Sequence, residues 1–324
     1  MSPETVAAIA RLREDRILSD AQAEAFGRVA RGDLVSVRAE LRLMLYAGVL
    51  LLTTGVGIFL KENHDRIGPA AIAAAIGAAA LGCLWYASRR LPPFSWGSVE
   101  SPHVAADYVL VLAMLLVGAD LAYVESQFRV LGPNWAYHLL IVSVVYLVAA
   151  YRFDSRAVLT LALTSFAAWR GVAVGMPFGS SHYEAAAGSP GAVRANAIGV
   201  GLLYVAVGVL SARGRRKAHF EPVWAAAGMI LVFGGVLSGV LDDGGAWIAW
   251  LAALAVLGAV ALLACWRLRR PLEFAIATAA LYVGGFRLLG EITHGQGALL
   301  IVAAWSTAAL VFLIRATRRL KSTE

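Results

Sequence analysis

The chain has 324 residues, 60% of them hydrophobic and only 15% charged, with a formal net charge of +7. Soluble domains average about a quarter charged residues, and a water-soluble fold of this size would expose far too much apolar surface. The basic residues fall in short clusters between apolar runs and not in one patch, which excludes nucleic acid as the expected partner and points to the lipid bilayer.

Residues 1–40 read as a short cytoplasmic helical segment ahead of the membrane. Ser2-Pro3-Glu4 starts a helix over about 3–15, since serine caps and proline suits the first helical position. Ser19-Asp20-Ala21-Gln22 is a capping box for a second helix over about 20–31, with Gly32 as its stop. Their apolar residues, Val6, Ile9 and Leu12, then Ala21, Ala25, Phe26 and Val29, form only narrow stripes. Such helices build no core alone; they are expected to rest on the membrane surface, on cytoplasmic loops or on a protein partner. No apolar stretch followed by a small-residue cleavage site occurs in these residues, so no secretory signal peptide is expected.

A membrane helix needs about 20 mostly apolar residues. Runs that qualify lie near 43–60, 68–87, 105–124, 135–151, 157–176, 193–212, 222–241, 246–266, 272–290 and 297–314. The fourth is short, and the fifth and ninth carry Arg170 and Arg287. The expected fold is therefore all-α: a polytopic transmembrane helix bundle of about ten spans over 41–315, with a cytoplasmic tail over 316–324. Loop charge sets the orientation. With the N-terminus inside, the inner segments carry the seven arginines before 43 and the clusters Arg89-Arg90, Arg152 and Arg156, Arg213 to Lys217, Arg267 to Arg270, and Arg315 to Lys321. All but six of the 28 Lys and Arg then lie inside, which predicts both termini in the cytoplasm. Trp85, Trp96, Trp135, Trp224, Trp247, Trp250 and Trp266 fall near span ends or in loops, as in an aromatic belt, whereas Trp169 and Trp305 lie deeper and read as packing residues. Gly171 with Gly175, and Gly235 with Gly239, offer close helix contacts.

Ionisable groups within spans cost about 3 kcal/mol each on insertion scales, so each calls for a partner or a role. Most gather toward the outer face. The end of the third span and its loop carry Asp120, Glu125 and Arg129; Glu125 and Arg129 pair on one face if the helix reaches that far. Arg170 has no carboxylate in its own span, so Asp120 or Glu125 is its expected partner across helices. Arg287 and Glu291 are four apart, with His294 about one turn beyond. These residues predict either ion pairs that pin helix ends or an outward polar pocket that takes an anionic or zwitterionic ligand through Arg170 and Arg287. Asp107 suits a helix start, and Asp242-Asp243 before Gly244-Gly245 reads as a tight turn. Glu62, His64 and Asp65 form a solvated loop in preference to a metal site, and the lone Cys83 and Cys265 read as small buried residues. No phosphate loop, dinucleotide fingerprint, HExxH or GxSxG occurs, so no catalytic residue, metal or cofactor is indicated.

Three stretches of the first half resemble the bacterial predicted membrane proteins grouped as domain-of-unknown-function family 2157. They are Ile17-Leu18-Ser19-Asp20-Ala21-Gln22-Ala23-Glu24-Ala25, Asn63-His64-Asp65-Arg66-Ile67, and Glu125-Ser126-Gln127-Phe128 with Leu131-Gly132. His64 stands where the family's turn carries a larger aromatic ring. The resemblance implies an integral membrane protein of unknown molecular function and supplies no catalytic residues. Three roles compete: a non-enzymatic scaffold, assembly or envelope component; a secondary transporter dividing into five plus five spans; and a membrane enzyme acting on lipid or glycan through Glu125, Glu291 or His294.

Overall fold

Proline opens many of the helices. Pro69, Pro190 and Pro271 each take a first helical position, where the missing N–H costs nothing, and Pro222 follows Glu221 at another helix start. A computed structural model describes residues 68–97, 104–175, 190–242, 245–292 and 298–321, with 11–15, 18–20, 22–24 and a few single positions earlier in the chain. Two compact units divide the chain, Met1–Ile72 and Ala73–Glu324.

In the first unit the predicted capping box forms. The Ser19 N–H donates to Gln22 Oε1 at 3.0 Å, and the Gln22 N–H donates to Ser19 Oγ at 3.3 Å. Arg13 Nε donates to Asp20 Oδ1 at 2.8 Å across the break between the two helical stretches. The first predicted span, the 61–67 segment and the start of the chain lie outside the described residues.

The described residues of the second unit are helical apart from the turns that join the helices, with no strand among them. The helices are α1 (Pro69–Arg90), α2 (Val104–Phe128), α3 (Tyr137–Phe153), α4 (Arg156–Gly175), α5 (Pro190–Arg213), α6 (Glu221–Val240), α7 (Trp247–Arg267), α8 (Pro271–Ile292) and α9 (Ala298–Lys321). They coincide with the second to tenth predicted runs. Short turns join most of them, so neighbours run antiparallel. Six of the helices, α1, α2, α5, α6, α7 and α8, are long and apolar enough to cross a membrane by length and composition. α3 is shorter, at 17 residues, as its sequence implied.

The outer surface of this bundle suits oil. Val148, Val256 and Leu263 are 65%, 64% and 63% exposed in mid-helix. Inside, Leu110, Met114, Tyr146, Leu159, Phe220 and Trp224 pack in one apolar cluster, and Phe233, Val236, Val240, Leu254, Ala277 and Ala280 in another. Trp224, expected in the aromatic belt, is buried and meets Tyr204 edge-on at 5.4 Å; its place one turn into α6 puts it against α5 and not at the surface. Two buried hydroxyls are spent on neighbouring helices: Tyr204 donates to the Leu163 carbonyl at 2.7 Å and Ser143 to the Ala162 carbonyl at 3.0 Å.

α5 and α6 approach most closely where Gly201 and Gly228 face each other. A Cβ on either would sit 2.6 Å from the other's carbonyl oxygen. Gly208 against Trp224 and Gly235 against Ile198 extend the same contact. The predicted Gly171 contact is absent, because a Cβ there would meet nothing within 4 Å. Gly239 does serve close packing, against Trp250 of α7.

The turns at one end of the bundle share a backbone feature. Asp154 after α3, Arg215 and Lys217 between α5 and α6, and Arg269 after α7 have φ of 59°, 53°, 51° and 54°. All four are charged residues in the left-handed region that glycine usually fills.

Candidate functional site

The ionisable residues that the sequence grouped together lie at one end of the bundle but take separate partners. α2 stops at Phe128, and Arg129 turns left-handed with φ 47°. The helical Glu125–Arg129 pair therefore does not form; the Glu125 carboxylate instead accepts the Leu131 N–H at 2.9 Å and holds the turn into α3. One turn and a half earlier, Asp120 lies against Gly77 of α1, where a Cβ would come within 3.2 Å of its Oδ2. Asp120 Oδ1 and the Tyr123 hydroxyl are buried without a hydrogen-bond partner among the described residues.

Arg170 pairs with neither Asp120 nor Glu125. Its Nε donates to Asn196 Oδ1 of α5 at 3.1 Å, and its guanidinium lies 5.5 Å over the Trp169 ring. Arg287 forms the expected ion pair with Glu291 at 2.8 Å and lies 5.7 Å over Trp247. His294 lies outside the described residues.

Arg194, one of the six basic residues that the loop-charge count leaves outside, is heavily engaged at this end. Its Nε donates to Ser238 Oγ at 3.1 Å, and its Nη2 donates to the Ser238 carbonyl at 3.1 Å and to Asp242 Oδ2 at 2.9 Å. It stacks 5.0 Å over Trp250. Asp242, read from sequence as a turn residue, is thus a tie between α5 and α6. Three arginines on three helices each sit on a tryptophan, an attraction that grows where water is scarce.

The opposite end carries a denser cluster that sequence reasoning missed. Lys217 Nζ, wholly buried, donates to Asp154 Oδ1 at 2.7 Å, and His219 Nε2 reaches the same oxygen at 2.6 Å. Phe94 and Phe220 flank the ammonium at 5.4 and 5.8 Å. The Lys217 N–H donates to the Trp96 carbonyl at 2.9 Å, and Arg216 stacks on the Trp96 ring at 5.4 Å. Four residues on, Glu221 receives both arms of Arg270 at 2.5 Å each, a bidentate pair. One turn, Lys217 to Glu221, therefore joins the link after α1, the α3–α4 turn and the α7–α8 turn. The signal available in sequence was an acid, Asp154 or Glu221, at a helix end otherwise full of arginines.

Among the described residues no group of three or more His, Cys, Asp or Glu could hold a metal ion. The arrangement can neutralise charge and fix turns.

Residues 10–159 match the model of a family described as predicted membrane protein (DUF2157), the family that the three sequence stretches resemble. The match takes in α1 to α3 and the start of α4, and so includes Asp120, Glu125 and Asp154 but not Lys217 or Glu221. No curated protein and no solved structure matches the chain.

Proposed function

We propose, with that family as the premise, that the chain is a non-enzymatic multi-pass scaffold or assembly component of the bacterial inner membrane. It crosses ten times, with both termini in the cytoplasm and residues 1–40 as its cytoplasmic contact. The observation that carries this reading is the tie of Lys217 to Asp154 and of Glu221 to Arg270. These pairs spend buried charge of the arginine-rich end on holding turns together. Continuous helices give further support, since carriers build midplane sites from broken ones. The uneven charge of the two ends supports the orientation, because lysine and arginine accumulate on the cytoplasmic side.

Two measurements test the proposal. In a chain with Cys83 and Cys265 replaced by alanine, Asn134→Cys should react with a membrane-impermeant maleimide in intact cells, and Arg215→Cys should react only after permeabilisation. Photo-crosslinkers placed at the exposed Leu12 and Phe26 should trap one reproducible protein, and removal of residues 1–40 should leave insertion intact while abolishing that product. Labelling of Arg215→Cys from outside, or solute uptake by reconstituted vesicles, would overturn it.

A second reading, a carrier for a small anionic solute, draws on the open groove beside Arg194. Asp242 already neutralises that guanidinium, which disfavours a purely anionic solute and favours the scaffold.

A further inference from the structure

We propose that the groove between α5 and α6, at the end away from the Lys217 turn, is a binding site for a phospholipid with a zwitterionic, primary-ammonium headgroup. The groove has a volume of about 660 Å³, with Val193, Ala197, Gly234 and Leu241 as apolar lining and Arg194 and Asp242 at its polar end. Three observations select this occupant.

The groove opens sideways. Ile230, Gly234, Ser238 and Leu241 are exposed and fall on one stripe of α6. In a bilayer that stripe meets acyl chains and headgroups and not bulk water, so the occupant arrives from the lipid phase.

The polar end carries both signs. Arg194 is held by three hydrogen bonds through Nε and Nη2, which leaves Nη1 to donate to a phosphate oxygen. Asp242 turns 48% of its side chain outward, against 10% for Arg194. A fixed cation beside a more exposed carboxylate matches a phosphate followed by an ammonium, and net neutrality disfavours a purely anionic lipid. A primary ammonium brings three N–H donors to Asp242, which a quaternary one lacks.

Among the described residues the groove is open at Gly234. A Cβ there would meet nothing within 4 Å, whereas one on the neighbouring Gly235 would strike Ile198. Gly235 serves helix packing; Gly234 lines the groove, where a larger side chain would enter it.

The full chain, in nanodiscs of equal phosphatidylethanolamine and phosphatidylglycerol, is released into native mass spectrometry. One phosphatidylethanolamine should stay bound in clear excess over phosphatidylglycerol. Gly234→Leu should cut that retention about tenfold, a loss of about 1.4 kcal/mol. Gly82→Leu on α1, where a Cβ likewise meets nothing within 4 Å, should leave it unchanged. Asp242→Asn should turn the preference toward phosphatidylglycerol, which tests the charge argument even where Gly234→Leu fails to fold. Equal retention of the two lipids by the unmodified chain, no effect of either groove variant, or displacement by millimolar free phosphoethanolamine would each overturn the proposal.

Discussion

Lys217 and Asp154 stand 63 residues apart in the chain and 2.7 Å apart in space, with the ammonium wholly buried and the carboxylate 8% exposed. A pair this dry is attractive only while both members are present, since a lone buried charge bears the full desolvation cost. Lys217→Met should therefore destabilise the protein by about 3 kcal/mol, and Asp154→Asn combined with it should recover a substantial part. Thermal unfolding in detergent checks this; a double variant as damaged as the sum of the singles would show that the two side chains act independently.

Glu221 and Arg270 depend on geometry as much as on charge. Lysine keeps the charge but not the fork that grips both carboxylate oxygens. Arg270→Lys should cost about 1 kcal/mol, close to the value of one charge-assisted hydrogen bond, and Arg270→Met considerably more. Equal stability of the lysine and methionine variants would mean that the bidentate grip contributes nothing.

The Gly201–Gly228 approach leaves no room for a methyl group. Gly228→Ala should destabilise by about 1–3 kcal/mol, the usual range for overpacking. Gly171→Ala, in open space, should be neutral or stabilise by up to about 1 kcal/mol through helix propensity. The ratio of folded to aggregated protein after mild heating separates the two.

Arg170 and Arg287 take different partners, Asn196 and Glu291. Arg170→Ala and Arg287→Ala should then have effects on stability that add to within about 0.5 kcal/mol. A double-mutant cycle with strong coupling would instead restore the shared outward pocket.

The helices were legible because lipid imposes a length and a polarity that few other environments demand. The run read as 222–241 is α6, Glu221–Val240, and the run read as 246–266 is α7, Trp247–Arg267. The Ser19–Gln22 capping box and the Arg287–Glu291 pair were legible for a local reason: each partner lies within one helical turn of the other. Glu125 and Arg129 have the same spacing but straddle a helix end, and no sequence cue marked Phe128 as the last helical residue. Lys217 and Asp154 join different hairpins, and Arg194 and Asp242 close the open ends of one hairpin 48 residues apart; spacing along the chain carries no information about contacts so distant in sequence. Lys217 was further hidden because an orientation argument accounts for a lysine in a basic loop completely and leaves no residue of surprise.

The charged residues at φ of about 50–60° in the turns of the arginine-rich end carry one more consequence. Each such residue strains its turn by about 1–2 kcal/mol relative to glycine. Asp154 and Lys217 repay that strain through their mutual bond, but Arg215 is exposed and the bonds around it run through its backbone alone. Arg215→Gly would ease the backbone, yet the sequence keeps arginine. On the proposed cytoplasmic placement of this end, that guanidinium would act while the nascent chain is choosing a side, before any turn exists to be strained.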